Sequence, residues 1–216
     1  MTPNKEDYLK CIYEIGTEMQ KITNKEIAAR MQVSPPAVTE MIKRMKSENL
    51  ILKDKENGYL LTDIGLKLVS ELYRKHRLIE VFLVHHLDYT SDQIHEEAEV
   101  LEHTVSDLFV KRLDKLLGFP QTCPHGGTIP AEGELLVEIN NLPLAAVQEA
   151  GTYLLTRVHD SFELLKYLEK HAIHIGDQLQ VKQFDGFSNS FTLVNKDEDL
   201  QVSMDIAKQL YVEKIN

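Results

Sequence analysis

The sequence has no apolar run of about 18 residues, the length that a membrane-spanning helix needs. Residues 1–18 are charged, where a secretory signal peptide carries an apolar stretch. Glycine (10 residues) and proline (7 residues) are too few for a linker-rich chain. The 216 residues, of which 43% are hydrophobic and 27% charged, therefore predict a cytoplasmic globular protein of one large domain or of two or three small ones.

Cysteine is also scarce. Cys11 and Cys123 lie far apart and form no CxxC pair, which excludes a disulfide scaffold and a four-cysteine zinc site. The sequence lacks a Walker loop, a GxSxG motif and the second histidine that would complete HExxH after His95. These absences argue against an enzyme. Histidine, with nine residues, is the more unusual count.

The net charge of −10 is unevenly distributed along the chain. Residues 1–75 carry 13 Lys+Arg against 11 Asp+Glu, a net +2, so residues 76–216 carry −12. A near-neutral, locally basic head joined to an acidic body fits a DNA-binding part joined to a carboxylate-rich regulatory part. Chance gives the same pattern, so the charge distribution alone does not decide the partner.

Residues 5–47 show apolar residues at helical spacing, interrupted twice. Thr23 and Glu26 form a capping box before the second helical segment. Ser34 fits the N-cap of the third segment, whose first turn holds two prolines where proline is tolerated. The pattern predicts three helices, the last two joined by a tight turn, as in a helix-turn-helix unit.

Two short apolar runs, residues 50–52 and 59–61, flank a polar segment that ends in Asn-Gly, a strong hairpin signal. The unit is thus predicted to be a winged helix-turn-helix, whose recognition helix presents its N-terminal side chains to base edges in the major groove. A three-helix core with a hairpin can also be purely structural, so the three local signals together carry the DNA-binding prediction. The candidate DNA-binding residues are Ser34, Pro35, Pro36, Ala37, Thr39 and Glu40 at the start of this helix, and Lys43, Arg44, Lys46, Lys53 and Lys55 for phosphates.

Residues 62–86 and 91–117 show two long helical patterns, which predict a helical hairpin. Residues 118–133 hold three prolines and four glycines and mark a boundary or an exposed connection. Five β-type runs follow and surround one helix over residues 162–170, which predicts a small barrel. These runs cover residues 152–158, 178–184, 191–194, 200–203 and 210–212.

Residues 95–103 carry a stripe of side chains that can bind metal. Residues three and four apart on a helix are neighbours, so the histidines and glutamates of this stripe share a face at the edge of the apolar one. Half-buried carboxylates repel one another until a divalent cation or a proton relieves them. The candidate ligands are His95, Glu99, Glu102 and His103, with His76 and Glu80 four apart on the preceding helix and Asp7 at the edge of the first.

Cys123 and His125 stand two residues apart on a proline-stiffened loop, so that a thiol and an imidazole can both reach one ion. A packed turn is the alternative for this loop. Cys11 lies on an apolar stripe and is expected in the core. His159 and Asp160, at the end of the first β-type run, have no assignment from spacing alone.

Taken together, the Ser34-Pro-Pro start, the 95–103 segment and Cys123-Pro-His125-Gly resemble the diphtheria toxin repressor family of iron- or manganese-activated repressors. The resemblance covers essentially the whole chain. It implies a mainly α fold with a small β part: a winged helix-turn-helix domain over residues 1–70, a helical dimerisation and metal-binding domain over 71–140 and an SH3-like domain over 141–216. It also implies a homodimer that binds palindromic operator DNA when it is metal-loaded and that controls metal-uptake genes.

The resemblance implies two metal sites in each subunit. The iron-responsive branch has Met and Cys in place of Asp7 and Glu99, so this chain follows the manganese branch, and hard oxygen ligands suit manganese(II). The short manganese regulators have a carboxylate at the position where this chain has Lys10, and they lack the third domain. The chain is therefore most similar to the three-domain manganese regulators of streptococcal type. Iron(II), zinc(II) and cadmium(II) are expected as substitutes in vitro. By this resemblance, the ligands of one site are Asp7, Glu99, Glu102 and His103. Those of the other are His76 and Glu80 with His95, Cys123, His125 and Asp160.

Two other functions fit parts of the pattern. A metal-dependent hydrolase would hold a catalytic metal on the His/Glu stripe, and would show an open coordination position and turnover of a model ester. A winged-helix regulator with a small organic molecule or a protein as its signal would bind DNA without metal. The sequence favours a metal-activated repressor with no membrane partner and no small organic substrate.

Overall fold

A computed structural model of the chain describes residues 3–90, 93–196 and 198–215. The chain forms two compact units. The first comprises Met1–Lys75 and Pro130–Leu136, and the second comprises His76–Ile129 and Val137–Asn216. The division into three domains at residues 70 and 140 stays a prediction.

The first unit is a three-helix core with a hairpin. Thr23 Oγ1 accepts a hydrogen bond from the Glu26 amide, and Ser34 Oγ accepts one from the Ala37 amide, both at 3.4 Å. These two caps begin the second and third helices where the sequence predicts. Of the predicted capping box, the Thr23 half is present, whereas Glu26 Oε2 is buried and finds no hydrogen-bond donor among the described residues. The elements are α1 (Pro3–Glu18), α2 (Asn24–Met31), α3 (Pro35–Ser47), β1 (Ile51–Asp54), β2 (Gly58–Leu61) and the first part of α4 (Asp63–Leu87).

The wing is the antiparallel pair β1–β2, in which Ile51 pairs with Leu61 and Asp54 with Gly58. Asp54 Oδ1 accepts hydrogen bonds from the amides of residues 56 and 57, which closes the turn. Gly58 has φ +82°, and a Cβ there would overlap the carbonyl oxygen of Ile22. That oxygen accepts a hydrogen bond from Tyr59, so the glycine allows the wing to join the helical core.

The second unit contains the rest of α4 together with α5 (Ile94–Glu102) and α6 (Asp107–Leu116). The prediction of one helix over residues 91–117 is wrong, because the helix breaks after Glu102; residues 91 and 92 lie outside the described part. Ser106 begins α6 by accepting a hydrogen bond from the Phe109 amide at 3.2 Å. The apolar spacing continues across the break, so periodicity alone did not reveal this cap.

The same unit ends in a five-stranded antiparallel sheet with the strand order β6-β5-β4-β3-β7. Side chains from every strand and from α7 form its core, including the fully buried Leu155, Leu193 and Leu210. The five predicted runs and the predicted helix are all present, and the mainly α fold class with an SH3-like β part is confirmed. The elements are β3 (Gly151–Val158), α7 (Phe162–Lys170), β4 (Gln178–Asp185), β5 (Ser190–Asn195), β6 (Glu198–Ser203), α8 (Met204–Ala207) and β7 (Leu210–Lys214), preceded by a short 3-10 helix (Leu144–Ala146).

Among the described residues, no helix combines the length and the apolar character needed to span a membrane. The longest is α4, with 25 residues, and it carries charged side chains along much of its length.

Candidate functional site

Four segments of the second unit bring their polar side chains into one cluster, which is buried at its centre and half-buried at its edge. His76 and Glu80 lie one turn apart on α4 and are almost wholly buried, with 1% and 0% of their surfaces exposed. The other contributing segments are α5, the loop after α6 and the end of β3. They supply His95, Glu99 and Glu102 from α5, His103 just after it, Cys123 and His125 from the loop, and Asp160 after β3.

The loop that carries Cys123 and His125 is held against β3. The Val158 amide donates to the His125 carbonyl at 3.0 Å, and the Gly126 amide donates to the Cys123 carbonyl at 2.9 Å. Gly126 has φ +79°, and a Cβ at this position would overlap the carbonyl of Thr156. Glycine at this position is therefore required for the close approach of loop and strand.

The donor atoms of six side chains form two overlapping groups, each compact enough to hold one cation. Those of His76, Glu80, His95 and Asp160 are all within 4.8 Å of one another, as are those of Glu80, Cys123 and His125. Glu80 belongs to both groups, so the six side chains form one donor set, which we call set A. Its contacts are His76 Nε2 to Glu80 Oε1 and to Asp160 Oδ2, both 3.2 Å, and His125 Nδ1 to Glu80 Oε1, 3.2 Å, and to Asp160 Oδ1, 3.4 Å.

The side chains of set A leave some of their own buried polar atoms without hydrogen bonds, and a bound cation would compensate these atoms. Glu80 Oε2 is buried and finds no hydrogen-bond donor among the described residues. His95 Nδ1 and Asp160 Oδ1 lie 2.9 Å apart but lack the alignment of a hydrogen bond. A buried carboxylate oxygen without a donor is costly, and metal coordination is one of the ways in which proteins compensate such a group. The donor chemistry of a thiol, imidazoles and carboxylates is that of a metal site.

The electrostatics of set A point the same way. Burial raises the pKa of Glu80, but the imidazoles of His76 and His125 hold the pKa below its usual range. Burial likewise raises the pKa of Asp160, and the neighbouring imidazoles of His125, His76 and His95 bring it well below its usual range. Both carboxylates are thus ionised at neutral pH.

Cys123 and His125, on the loop, hold protons that a bound metal would have to displace. Burial lowers the pKa of His125, but Glu80 and Asp160 outweigh burial and raise it above its usual range. Burial, together with the charge of Glu80, raises the pKa of the Cys123 thiol. Cation binding at set A would therefore release protons, as expected where thiol and imidazole ligands must be deprotonated.

A second group, which we call set B, lies beside set A on α5. It contains Glu99, Glu102 and His103, and the donor atoms of His76, Glu99 and Glu102 also lie within 4.8 Å of one another. His103 Nε2 is 3.5 Å from Glu102 Oε1. Asp7 lies on α1 of the first unit, and its membership of set B stays a prediction.

The ion pair between Arg77 and Glu138 is a feature that the sequence did not reveal. Arg77 Nη2 lies 2.6 Å from Glu138 Oε1, Arg77 Nη1 donates to the Thr128 carbonyl, and Glu138 Oε2 accepts from the Thr128 amide at 2.9 Å. A Cβ on Gly127 would come within 2.7 Å of the Arg77 guanidinium. The pair supports the loop that carries Cys123, and no local motif links two residues 61 positions apart.

The predicted DNA-binding residues lie on α3 and on the wing of the first unit. All eleven are exposed, whereas Val38, Ile42 and Met45 of the same helix are buried. The Thr39 hydroxyl donates to the Pro35 carbonyl and accepts from Asn24 Nδ2, both at 3.0 Å. The Thr39 hydroxyl is therefore engaged within the first unit, and Asn24 is a supporting residue that the sequence patterns missed.

Comparisons with known proteins agree with this arrangement. The iron dependent repressor N-terminal DNA binding domain matches residues 1–59, the iron dependent repressor metal binding and dimerisation domain matches residues 62–131, and the FeoA domain matches residues 142–214. Two solved structures are similar over nearly the whole chain. The manganese regulator SloR is 59% identical over 100% of both chains, with a TM-score of 0.91. ScaR with bound Zn²⁺ is 63% identical over 98% of this chain and 100% of that chain, with a TM-score of 0.94.

A more distant relative is the diphtheria toxin repressor of Corynebacterium diphtheriae, 27% identical over 97% of this chain and 96% of its own length. A helical metal-binding domain that follows a winged helix-turn-helix defines a metal-responsive transcriptional regulator. The chain belongs to the iron-dependent repressor family of metal-dependent transcriptional repressors, which dimerise and bind operator DNA. The hydrolase alternative is thereby discarded, because the family consists of DNA-binding repressors and not of enzymes.

Proposed function

We propose that this repressor is activated by manganese(II), acts in the cytoplasm as a homodimer on palindromic operator DNA, and controls genes for metal uptake. The observation that carries the proposal is set A, in which four segments of the second unit bring six metal-binding side chains together, two of them ionised carboxylates. The identity of 57–63% to the manganese regulator SloR, to ScaR and to the metal-dependent regulator MtsR supports manganese as the effector.

Set A is the first proposed metal site, with His76, Glu80, Cys123, His125 and Asp160 as ligands and His95 beside them. A bound cation would supply positive charge to the two carboxylates of set A, Glu80 and Asp160. The chain's own part is to hold the donors: α4 fixes His76 and Glu80 one turn apart, and the loop hydrogen bonds to β3 fix His125. Asp160 follows β3, so the proposed site also draws on the SH3-like domain.

Set B with Asp7 is the second proposed site. Its oxygen-rich donors, Glu99, Glu102 and Asp7, suit a hard divalent cation such as manganese(II). His103, beside Glu102, supplies an imidazole. Asp7 comes from the DNA-binding unit, so a cation held by Asp7 and by α5 would link metal binding to the placement of the DNA-binding residues.

Other divalent metals are expected to fill the same sites in vitro. Zinc(II) exceeds manganese(II) in the general affinity order for nitrogen, oxygen and sulfur ligands. ScaR has been solved with bound Zn²⁺ and with bound Cd²⁺, and a manganese-dependent repressor that is 31% identical to this chain has been solved with manganese. Binding strength alone therefore does not identify the physiological effector.

On the DNA side, we propose that Ser34, Pro35, Pro36, Ala37, Thr39 and Glu40 contact bases, and that Lys43, Arg44, Lys46, Lys53 and Lys55 contact phosphates. The first group lies at the N-terminal end of α3, the end from which recognition helices reach base edges, and the second provides the charge that positions a protein on the duplex. In a two-fold dimer, the two α3 helices would fit successive major grooves about 34–36 Å apart.

The coupling between metal and DNA is a shift between two populations of the protein. A cation that moves the population from 1:99 to 99:1 must bind the DNA-competent state more tightly by about 5.5 kcal/mol. By linkage, operator DNA must strengthen metal binding by the same factor.

The experiment is fluorescence anisotropy of labelled DNA from upstream of the protein's own gene, at one fixed salt concentration because phosphate contacts are salt-dependent. Protein is titrated with chelator present and then with added manganese. The proposal predicts binding only with manganese and its reversal by chelator. Equally tight binding without metal would instead support the regulator with a non-metal signal.

A further inference from the structure

The imidazole of His76 lies between set A and set B. Its Nε2 is 3.2 Å from both Glu80 Oε1 and Asp160 Oδ2, which belong to set A. Its Nδ1 is 2.5 Å from Glu102 Oε2, which belongs to set B. His76 and Glu102 are each only 1% exposed, so water does not compete for this contact. One ring thus presents one nitrogen to each set.

The chemistry of imidazole fixes where the ring proton must lie when set A holds a cation. A ring nitrogen that binds metal presents a lone pair, so the proton of the neutral ring is on the other nitrogen. Because Nε2 of His76 is directed to Glu80 and Asp160, a cation bound there through Nε2 would leave the proton on Nδ1, from which it is donated to Glu102. A carboxylate behind a metal-binding imidazole fixes its orientation and tautomer and makes it a stronger ligand.

The two carboxylate oxygens of Glu102 point to different partners. Oε2 contacts His76 Nδ1, whereas Oε1 lies 3.5 Å from His103 Nε2 within set B. The proposed ligand role of Glu102 in the second site therefore leaves its hydrogen bond to His76 intact. The sequence assigns the two residues to separate sites and gives no sign of this link, because they are 26 positions apart.

We propose that Glu102 is a positioning residue of the first metal site: by accepting the His76 Nδ1 proton, it orients His76 for metal binding at set A. The inference rests on the proposed function, since it requires set A to bind a metal. Glu102 then has a part in both sites. A substitution at Glu102 lowers the metal affinity of the first site, although the donor atoms of Glu102 belong to the second.

The test follows cadmium(II) binding at the first site through the ultraviolet charge-transfer band of a cadmium–thiolate bond. Set A contains Cys123, whereas the donors of set B carry no thiol, so the band reports set A alone. Its loss in Cys123→Ser assigns the band. If the wild-type chain shows no such band, the ligand assignment in the proposed function fails, and that result is separate from the question about Glu102.

The decisive variants are Glu102→Leu, which removes the acceptor, and Glu102→Gln, which keeps a neutral one. We expect Glu102→Leu to weaken first-site cadmium affinity by about 10- to 100-fold, the usual effect of losing an outer-shell partner. Glu102→Gln should recover part of this loss. If Glu102→Leu does not fold, as judged by circular dichroism, Glu102→Gln alone must still show weaker binding than the wild type.

A comparison variant separates positioning from other effects. Glu97→Gln alters an exposed residue on the same helix and should keep the wild-type affinity of the first site. If Glu97→Gln weakens the cadmium–thiolate band as much as Glu102→Gln, or if neither Glu102 variant weakens it, the positioning role is wrong.

Discussion

Arg77 and Glu138 form an ion pair, 2.6 Å between Nη2 and Oε1, that encloses the backbone of Thr128. The side chains are only 10% and 15% exposed. The pair joins α4 to the loop that carries Cys123 and to the segment that precedes the SH3-like domain. It therefore stabilises the second unit next to the proposed first metal site.

The first prediction is that Glu138→Gln destabilises the chain in a pH-dependent manner. Burial raises the pKa of Glu138, but Arg77, the Thr128 amide and Arg157 lower it below its usual range. The folded-state pKa is thus below the unfolded value, so the stabilisation is fully present above about pH 4.3, the unfolded value, and is lost as pH falls through the folded-state pKa. Hydrogen bonds to charged groups contribute about 1.5–3 kcal/mol each.

Urea unfolding at pH 7 and at pH 3 measures this effect, with chelator present so that metal does not contribute. The free energy of unfolding should differ between Glu138→Gln and the wild type by about 2 kcal/mol at pH 7, with a smaller difference at pH 3. Glu134→Gln, an exposed residue nearby in sequence, is the control. A difference that stays constant over this range would show that the charge of Glu138 is not the stabilising feature.

The second prediction concerns set B. Glu99→Ala and His103→Ala should leave the fold intact, because neither residue belongs to a hydrophobic core cluster, and should abolish metal-dependent operator binding. Circular dichroism checks the fold and DNA anisotropy at saturating manganese checks the activity. Wild-type operator affinity in both variants would remove set B from the mechanism.

The third prediction concerns phosphate contacts. Lys43→Ala and Arg44→Ala should weaken binding to all DNA sequences alike, and each should reduce the slope of log affinity against log salt by about 0.9. Lys170→Ala, an exposed substitution on α7, is the matched control and should leave the slope unchanged. Loss of affinity for one sequence only would mean that the residue contacts bases instead.

The fourth prediction separates the structural role of the Thr39 hydroxyl from the proposed role of Thr39 in DNA recognition. Its hydroxyl is engaged by Asn24 and by the Pro35 carbonyl, so Thr39→Val removes both hydrogen bonds but keeps a branched, apolar side chain. We expect a loss of about 0.5–1.5 kcal/mol in the free energy of unfolding for each lost bond. The preference for the operator over non-specific DNA should persist, measured as the ratio of the two affinities. A lost preference would mean that the hydroxyl itself reads the DNA.

The sequence predicted those features that depend on neighbours along the chain. The caps at Thr23 and Ser34 and the wing before Gly58 are local signals, and each is present in the structure. The pairs of histidine and glutamate four residues apart on α4 and α5 were likewise visible from helical spacing. Local chemistry alone therefore predicts much of the DNA-binding unit and the helical part of the candidate site.

The remaining features depend on contacts between distant segments. Asp160 approaches His76 from 84 positions away, and only the family resemblance pointed to it. The break between α5 and α6 was missed because the apolar stripe continues through it. The hydrogen bond from His76 to Glu102 requires the side-chain positions themselves, since spacing on one helix says nothing about which nitrogen of a ring faces another helix.

The central claim, that set A is a metal site, is tested most directly by anomalous X-ray scattering from crystals of the chain grown with manganese. Data collected on either side of the manganese absorption edge locate the ions without assumptions about the ligands. The account predicts an anomalous peak within bonding distance of His76, Glu80 and Asp160. Peaks found only at exposed carboxylates, with none at set A, would contradict it.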